Sequence, residues 1–87
     1  MANYSLEIKR SAAKELADLP TKDRDRLVAR IKALAVDPRP PGAEKLSGQD
    51  RYRVRQGDYR ILYEIVDDQL IVTLVRIGHR RDVYHPR

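Results

Sequence analysis

Arginine and apolar residues alternate along residues 51–55, and the run Tyr-Arg-Ile-Leu-Tyr follows at residues 59–63. Successive side chains of a β-strand point to opposite faces, so this period of two predicts a pair of strands. Gln56, Gly57 and Asp58 separate the two runs, and Gly57 can supply the positive φ that a tight two-residue turn needs. The pattern therefore predicts a β-hairpin.

A two-residue turn fixes which residues of the hairpin lie opposite each other. The predicted pairs are Arg55 with Arg60, Val54 with Ile61, and Tyr52 with Tyr63. The arginines of the first strand then share one face with Arg60, and these are Arg51, Arg53 and Arg55. Like charges directly across a hairpin repel each other, which lowers stability. A bound anion would offset this repulsion, so the clustered arginines predict an anion-binding site on this face. The alternatives are a solvated face without a ligand, or an odd-length loop that moves Arg60 to the other face.

Two helices and a short strand are predicted ahead of the hairpin. Residues 4–8 alternate weakly and predict a first strand. Ser11 is the predicted N-cap of a helix that ends at Leu19. Thr21 is the predicted N-cap of a second helix that reaches about Val36.

A core-facing stripe and a last strand complete the predicted fold. Three apolar residues recur at helical spacing in the second helix, namely Leu27, Ile31 and Leu34. Residues 37–42 contain three prolines and a glycine and predict a loop. A turn at residues 67–69 leads to an apolar run at residues 70–77. Together the elements predict an α+β domain with a short N-terminal strand, a two-helix hairpin and an antiparallel three-stranded meander.

Composition narrows the class of protein. The chain has 87 residues, 41% of them hydrophobic and none of them Phe or Trp, so one domain (residues 1–87) with a small aliphatic core is expected. There is no cysteine, no run typical of a signal peptide and no apolar stretch of membrane-spanning length. These features are typical of a cytoplasmic protein with no membrane contact.

Positive charge is concentrated in two short segments. The net charge is +5, and residues 51–60 and 76–87 each carry a net charge of +3. All the cations in both segments are arginines, whose planar guanidinium binds phosphate and stays ionised when partly desolvated. This distribution indicates a partner with a phosphate backbone.

Other chemistries lack the residues they need. His79 and His85 do not have the spacing of metal ligands. The chain also has no phosphate-cradling glycine loop and no pair of carboxylates placed for acid–base work. No metal and no cofactor are therefore expected.

Three motifs resemble the RelE/ParE family of bacterial and archaeal toxins. They are Tyr-Arg-Val-Arg at residues 52–55, Gly-Asp-Tyr-Arg-Ile-Leu-Tyr-Glu at residues 57–64, and Ile-Gly-His-Arg-Arg-Asp-Val-Tyr at residues 77–84. A Lys45-Leu46 element and the helical hairpin extend the similarity over nearly the whole chain. The resemblance implies a RelE-like microbial RNase fold and an acidic, RelB-like antitoxin partner in a hetero-oligomer. RelE-type members cut mRNA in the ribosomal A site, whereas ParE-type members poison DNA gyrase.

The resemblance also implies roles for individual residues. Arg60 and Arg80 are expected to bind the scissile phosphate and to stabilise the charge that grows on it. Tyr84 is expected to stack on a base and to help move a proton. Four further arginines are expected to bind RNA, and these are Arg51, Arg53, Arg55 and Arg81.

The general base is where this chain departs from the family. Some RelE toxins carry lysines at the positions of Arg53 and Arg55, and one of those lysines can act as the base. Arginine stays protonated, so neither residue fits that role. His79, Tyr84 and His85 remain as candidates, and the alternative is that the chain has no base of its own. His79 is the expected catalytic base because histidine ordinarily titrates near neutrality, and its alternative is a structural role after the last strand.

The sequence therefore favours a ribosome-dependent mRNA interferase, a toxin that acts as a metal-independent endoribonuclease. The presence of Tyr84 together with Arg60 and Arg80 favours this reading, because a pure gyrase binder needs no catalytic set. One alternative is a ParE-like gyrase inhibitor without chemistry of its own. The other is a catalytically inactive, basic RNA-binding module.

Overall fold

The computed structural model describes residues 3–46 and 50–79, which form a five-stranded sheet and two α-helices. The strands are β1 (Ser5–Ile8), β2 (Glu44–Lys45), β3 (Arg51–Gln56), β4 (Tyr59–Val66) and β5 (Ile71–His79). The helices are α1 (Arg10–Ala17) and α2 (Thr21–Val36), and a 3₁₀ turn at Asp67–Gln69 joins β4 to β5. The sheet order is β1-β5-β4-β3-β2. This arrangement confirms the predicted α+β class.

The β3–β4 hairpin has the predicted register. The three predicted pairs are all present, namely Arg55 with Arg60, Val54 with Ile61, and Tyr52 with Tyr63. Gly57 has a φ of 61°, as the first central residue of the tight turn requires. The arginines of β3 therefore share one face of the sheet with Arg60, while Val54 and Ile61 face the core.

The sheet contains two strands more than the predicted meander. The predicted first strand, β1, pairs in parallel with β5 and so becomes one edge of the sheet. β2 forms the other edge, and the sequence does not predict it because two residues are too few to show a period. Its pairing with β3 places Glu44 beside Arg53.

The predicted N-caps are wrong for both helices. Lys9 precedes α1 and Pro20 precedes α2, and neither caps its helix with a side chain. Ser11 lies inside α1, where its hydroxyl donates to the backbone oxygen of Val75 at 3.1 Å. Thr21 is the first residue of α2. The hydroxyl of Ser11 thus anchors α1 to β5 instead of starting the helix.

The core is aliphatic, as the composition predicts, with one tyrosine inside it. Its fully buried side chains include Leu27, Leu34, Ile61, Tyr63 and Leu74. The hydroxyl of Tyr63 donates to the backbone oxygen of Pro38 at 2.7 Å, which ties the proline-rich loop to the sheet. Burial raises the pKa of Tyr63 to about 12.

Arg39 holds the same loop through a second set of contacts. Its guanidinium donates to both carboxylate oxygens of Asp67, at 3.2 and 2.9 Å, and its Nε donates to the hydroxyl of Tyr52 at 3.0 Å. Tyr4 donates to the same carboxylate at 2.7 Å. The hydrogen bonds from Arg39 and Tyr4 lower the pKa of Asp67. These contacts fix the segment that leads into β2, and hence the position of Glu44.

We expect Tyr63→Phe to lower the free energy of unfolding by about 1 kcal/mol at neutral pH, because the Pro38 carbonyl loses its donor. The difference should narrow and then change sign as the pH rises from 10.0, the usual pKa of tyrosine, to about 12. Between these pH values Tyr63 ionises in the unfolded wild type but not in the folded one, which stabilises the unfolded state. The Phe variant has no such group, so only the wild type loses unfolding free energy in this range. Urea unfolding of both proteins measures the difference. A constant difference across the range would contradict the burial of an un-ionised hydroxyl.

Candidate functional site

Arginine side chains gather in a cleft on the face of β3 and β4 that points away from Val54 and Ile61. The cleft has a volume of about 390 Å³. Its lining residues are Gly42, Ala43, Glu44, Arg53, Arg55 and Arg60. Alternation along the two strands puts the arginines on one face, and the hairpin register brings the two strands' cations side by side. Three of the predicted site residues are thus brought together.

Arg60 is the most enclosed of the three cleft arginines, with 4% of its surface exposed. It lies on β4 between Arg55 of β3 and Gly78 of β5. Glycine has no side chain, so this neighbour leaves room for the guanidinium. A guanidinium stays charged when water is removed, and its field acts more strongly where the local dielectric constant is low. Arg60 therefore supplies the cleft with a positive charge in a fixed position.

Glu44 places a carboxylate in the cleft. Its Oε1 accepts a hydrogen bond from Nη2 of Arg53 at 2.8 Å. This hydrogen bond lowers the pKa of Glu44, and the positive charges of Arg55 and Arg60 act in the same direction. Glu44 is absent from the predicted site, and the one signal for it is an acidic residue between the proline-rich loop and the arginine strand.

Arg51 lies on the same sheet face but does not line the cleft. Its Nε donates to Oε2 of Glu64 at 2.9 Å, directly across the hairpin. Of the RNA-binding residues predicted on β3, Arg53 and Arg55 therefore enter the cleft, whereas Arg51 forms a local ion pair beside it.

His79 lies on the opposite face of the sheet from the arginine cleft. It is opposite Tyr59, whereas its neighbour Gly78 is opposite Arg60, so alternation directs the two side chains to different faces. Its ring meets that of Tyr59 edge-on, with centroids 5.6 Å apart. The hydroxyl of Tyr59 donates to Asp23 of α2 at 2.9 Å, and this bond raises the pKa of Tyr59. The structure thus does not bring His79 together with the arginines.

His79 belongs instead to a second cleft, which has a volume of about 210 Å³. Its walls are Asp23, Arg26, Gln56, Gly57, Asp58, Tyr59 and His79. None of the three cleft arginines lines it. The two clefts therefore lie on opposite sides of the hairpin.

Several predicted site residues lie outside the described residues. They are Arg80, Arg81 and Tyr84, together with the candidate base His85. Within residues 3–46 and 50–79, no group of three or more His, Cys, Asp or Glu side chains is arranged to hold a metal ion. No helix in that part of the chain is long and apolar enough to cross a membrane.

Residues 6–84 match the family described as the ParE toxin of the type II toxin–antitoxin system, parDE. The match spans most of the 87 residues, and the chain belongs to this family. It is therefore a toxin of the RelE/ParE superfamily, as the three motifs indicate.

The chain is also similar to RelE toxins in sequence and in structure. It is 30% identical over 80 residues to the mRNA interferase toxin RelE of Escherichia coli strain K12, covering 88% of this chain and 83% of that protein. The toxin–antitoxin complex RelBE2 of Mycobacterium tuberculosis contains a chain that matches with a TM-score of 0.82 and 26% identity, over 92% of this chain and 94% of that one. The archaeal RelE–RelB complex of Pyrococcus horikoshii matches with a TM-score of 0.78 and 25% identity, over 90% and 96% of the two chains.

We expect His79→Ala to leave the affinity for a short single-stranded RNA within about twofold of wild type, because His79 faces away from the arginine cleft. The variant should instead lose about 0.5–1.5 kcal/mol of unfolding free energy with the edge-on contact to Tyr59. Fluorescence anisotropy with a labelled RNA and urea unfolding measure the two effects. The comparison variant is Arg55→Ala, whose exposed side chain should lower affinity with little change in stability. Equal losses of affinity in both variants would overturn the assignment of the two faces.

Proposed function

We propose that this toxin is a ribosome-dependent mRNA endonuclease whose substrate phosphate binds in the arginine cleft. The observation that carries the proposal is the enclosed guanidinium of Arg60, with Arg53 and Arg55 beside it in one cleft. The similarity to a RelE protein named an mRNA interferase supports the same reading.

The proposed reaction needs no group beyond the nucleic acid and protein side chains. The ribose 2′-OH attacks the adjacent phosphorus and loses its proton, and the 5′-oxygen leaves and gains one, giving a 2′,3′-cyclic phosphate and a 5′-OH. Negative charge grows on the phosphoryl oxygens in the transition state. Arg60, held in place by its burial, stabilises that charge, while Arg53 and Arg55 bind the phosphate and its neighbours.

Proton transfer is assigned to the segment that follows β5. Arginine does not release its proton at neutral pH, so the cleft arginines do not carry out this step. His79 faces the second cleft, which leaves Tyr84 and His85 as the proposed proton carriers. Arg80 and Arg81 add positive charge to the same segment, Arg80 for the scissile phosphate and Arg81 for the RNA backbone.

An acidic antitoxin of the RelB kind is the proposed partner, in a hetero-oligomer in the cytoplasm. Solved relatives include RelB–RelE complexes, which supports this assignment. The arginine cleft gives an acidic segment complementary charges to meet. A partner that binds only the folded toxin also stabilises it by mass action, which matters for a chain with such a small aliphatic core.

Inhibition of DNA gyrase is the second candidate function. The observation that favours it is the match of residues 6–84 to the family described as the ParE toxin of the type II toxin–antitoxin system. In that case the cleft would hold a target without cleaving it, and the arginines would set affinity alone.

We expect Arg60→Lys to slow mRNA cleavage on translating ribosomes by about 100-fold, because it keeps the charge but loses the planar fork that stabilises the developing charge. Arg55→Ala should slow cleavage by about tenfold, because it removes one of the arginines that bind the phosphate and its neighbours. The matched control is Arg51→Ala, which removes the same charge from the same face but outside the cleft. This control should stay within about threefold of wild type. Primer extension on the cleaved mRNA measures the rates.

The same preparations distinguish the two candidate functions. Wild-type protein that cuts mRNA on ribosomes and leaves gyrase supercoiling unaffected supports the endonuclease. Protein that blocks supercoiling and leaves mRNA intact would replace the endonuclease with the gyrase inhibitor. Equal rates for Arg51→Ala and Arg55→Ala would remove the cleft from the mechanism.

A further inference from the structure

The arginine cleft already contains an anion that belongs to the protein itself. The carboxylate of Glu44 accepts from the guanidinium of Arg53 at 2.8 Å and feels the charges of Arg55 and Arg60. A carboxylate and a phosphate use the same donors of an arginine fork. Glu44 and a substrate phosphate therefore compete for the guanidinium of Arg53.

We propose that Glu44 is a built-in competitor of the substrate, which occupies Arg53 in the free toxin and is displaced when a nucleic-acid strand binds. This proposal rests on one part of the proposed function, namely that the cleft binds a phosphodiester, and it does not require cleavage. It assigns to Glu44 a role in setting affinity and in selecting the ligand.

The backbone around Glu44 is placed so that only the side chain has to move. Its strand, β2, is hydrogen-bonded to β3, and the loop before it is held by Arg39 and Tyr63. The side chain of Glu44 is 65% exposed, so its carboxylate can exchange Arg53 for water. Exposed ion pairs are weak, and this one can break without unfolding the edge of the sheet.

Competition of this kind selects for ligands with several phosphates. A single free phosphate gains little by replacing one anion with another at Arg53. A nucleic-acid strand also engages Arg55 and Arg60, and those contacts offset the loss of the ion pair with Glu44. The cleft should therefore discriminate against inorganic phosphate in favour of a phosphodiester chain.

The test is Glu44→Gln, with affinity measured for a single-stranded 2′-O-methyl RNA, which lacks the attacking hydroxyl and is not cut. We expect the variant to bind about two- to fivefold more tightly than wild type, as the release of one exposed ion pair implies. Inorganic phosphate should also become a better competitor of this binding.

Glu64→Gln is the matched control. Glu64 lies on the same sheet face and pairs with Arg51 at 2.9 Å, outside the cleft. Glu64→Gln therefore removes the same negative charge as Glu44→Gln, but from outside the cleft. Its effect on affinity should be less than about 1.5-fold, because a distant exposed charge is screened by salt. In an Arg53→Ala background, Glu44→Gln should bring no gain.

Unchanged or weaker binding by Glu44→Gln, or an equal gain in Glu64→Gln, would overturn the proposal. The outcome is separable from that of the endonuclease. If Glu44→Gln binds more tightly while no form of the protein cuts mRNA, the competitor stands and the endonuclease fails. If the wild type cuts mRNA and Glu44→Gln brings no gain, the competitor fails and the endonuclease stands.

Discussion

The tight turn at Gly57 is the constraint on which the rest of the site depends, since it fixes the register of β3 against β4. Its φ of 61° is a conformation that glycine adopts without steric cost. With this turn, Val54 and Ile61 enter the core while Arg55 and Arg60 meet on the other face. A shift of one residue would exchange the two faces of β3 and bury its arginines. The same turn therefore determines both the hydrophobic core and the arginine cleft.

Bringing cations together in this way opposes folding, and the molecule offsets the repulsion locally. Arg53 has the carboxylate of Glu44 at 2.8 Å, and Arg51 has that of Glu64 at 2.9 Å. Glu44 comes from β2, whose position depends on the loop that Arg39 and Tyr63 hold. A guanidinium that holds a carboxylate in the free protein uses the same donors to hold a phosphate. The ion pair between Arg53 and Glu44, which offsets part of the repulsion in the free toxin, thus also limits the affinity for substrate.

The hairpin and its arginine face follow from the sequence because the period of two and the two-residue turn act over a few residues. β2 does not, since its two residues are held only by pairing with β3. The predicted N-cap at Ser11 is wrong for a related reason. The Ser11 hydroxyl donates to the backbone of β5, which is distant in sequence. His79 is one residue from Gly78, which is opposite Arg60, yet alternation along β5 sends it to the other face. Local pattern thus predicts elements and faces. Which residues enter the site depends also on how distant segments pair, as β2 does with β3 and β5 with β4.

Binding of a phosphodiester chain in the arginine cleft should displace Glu44 from Arg53. The most direct measurement follows the arginine Nε–Hε signals by NMR while an uncleavable RNA is added. The signals of Arg53, Arg55 and Arg60 should shift together, whereas that of Arg51, which stays paired with Glu64, should not move. Shifts centred on Arg26 and on the ring of His79, with the three cleft arginines unchanged, would place the ligand in the second cleft and exclude the arginine cleft as its site.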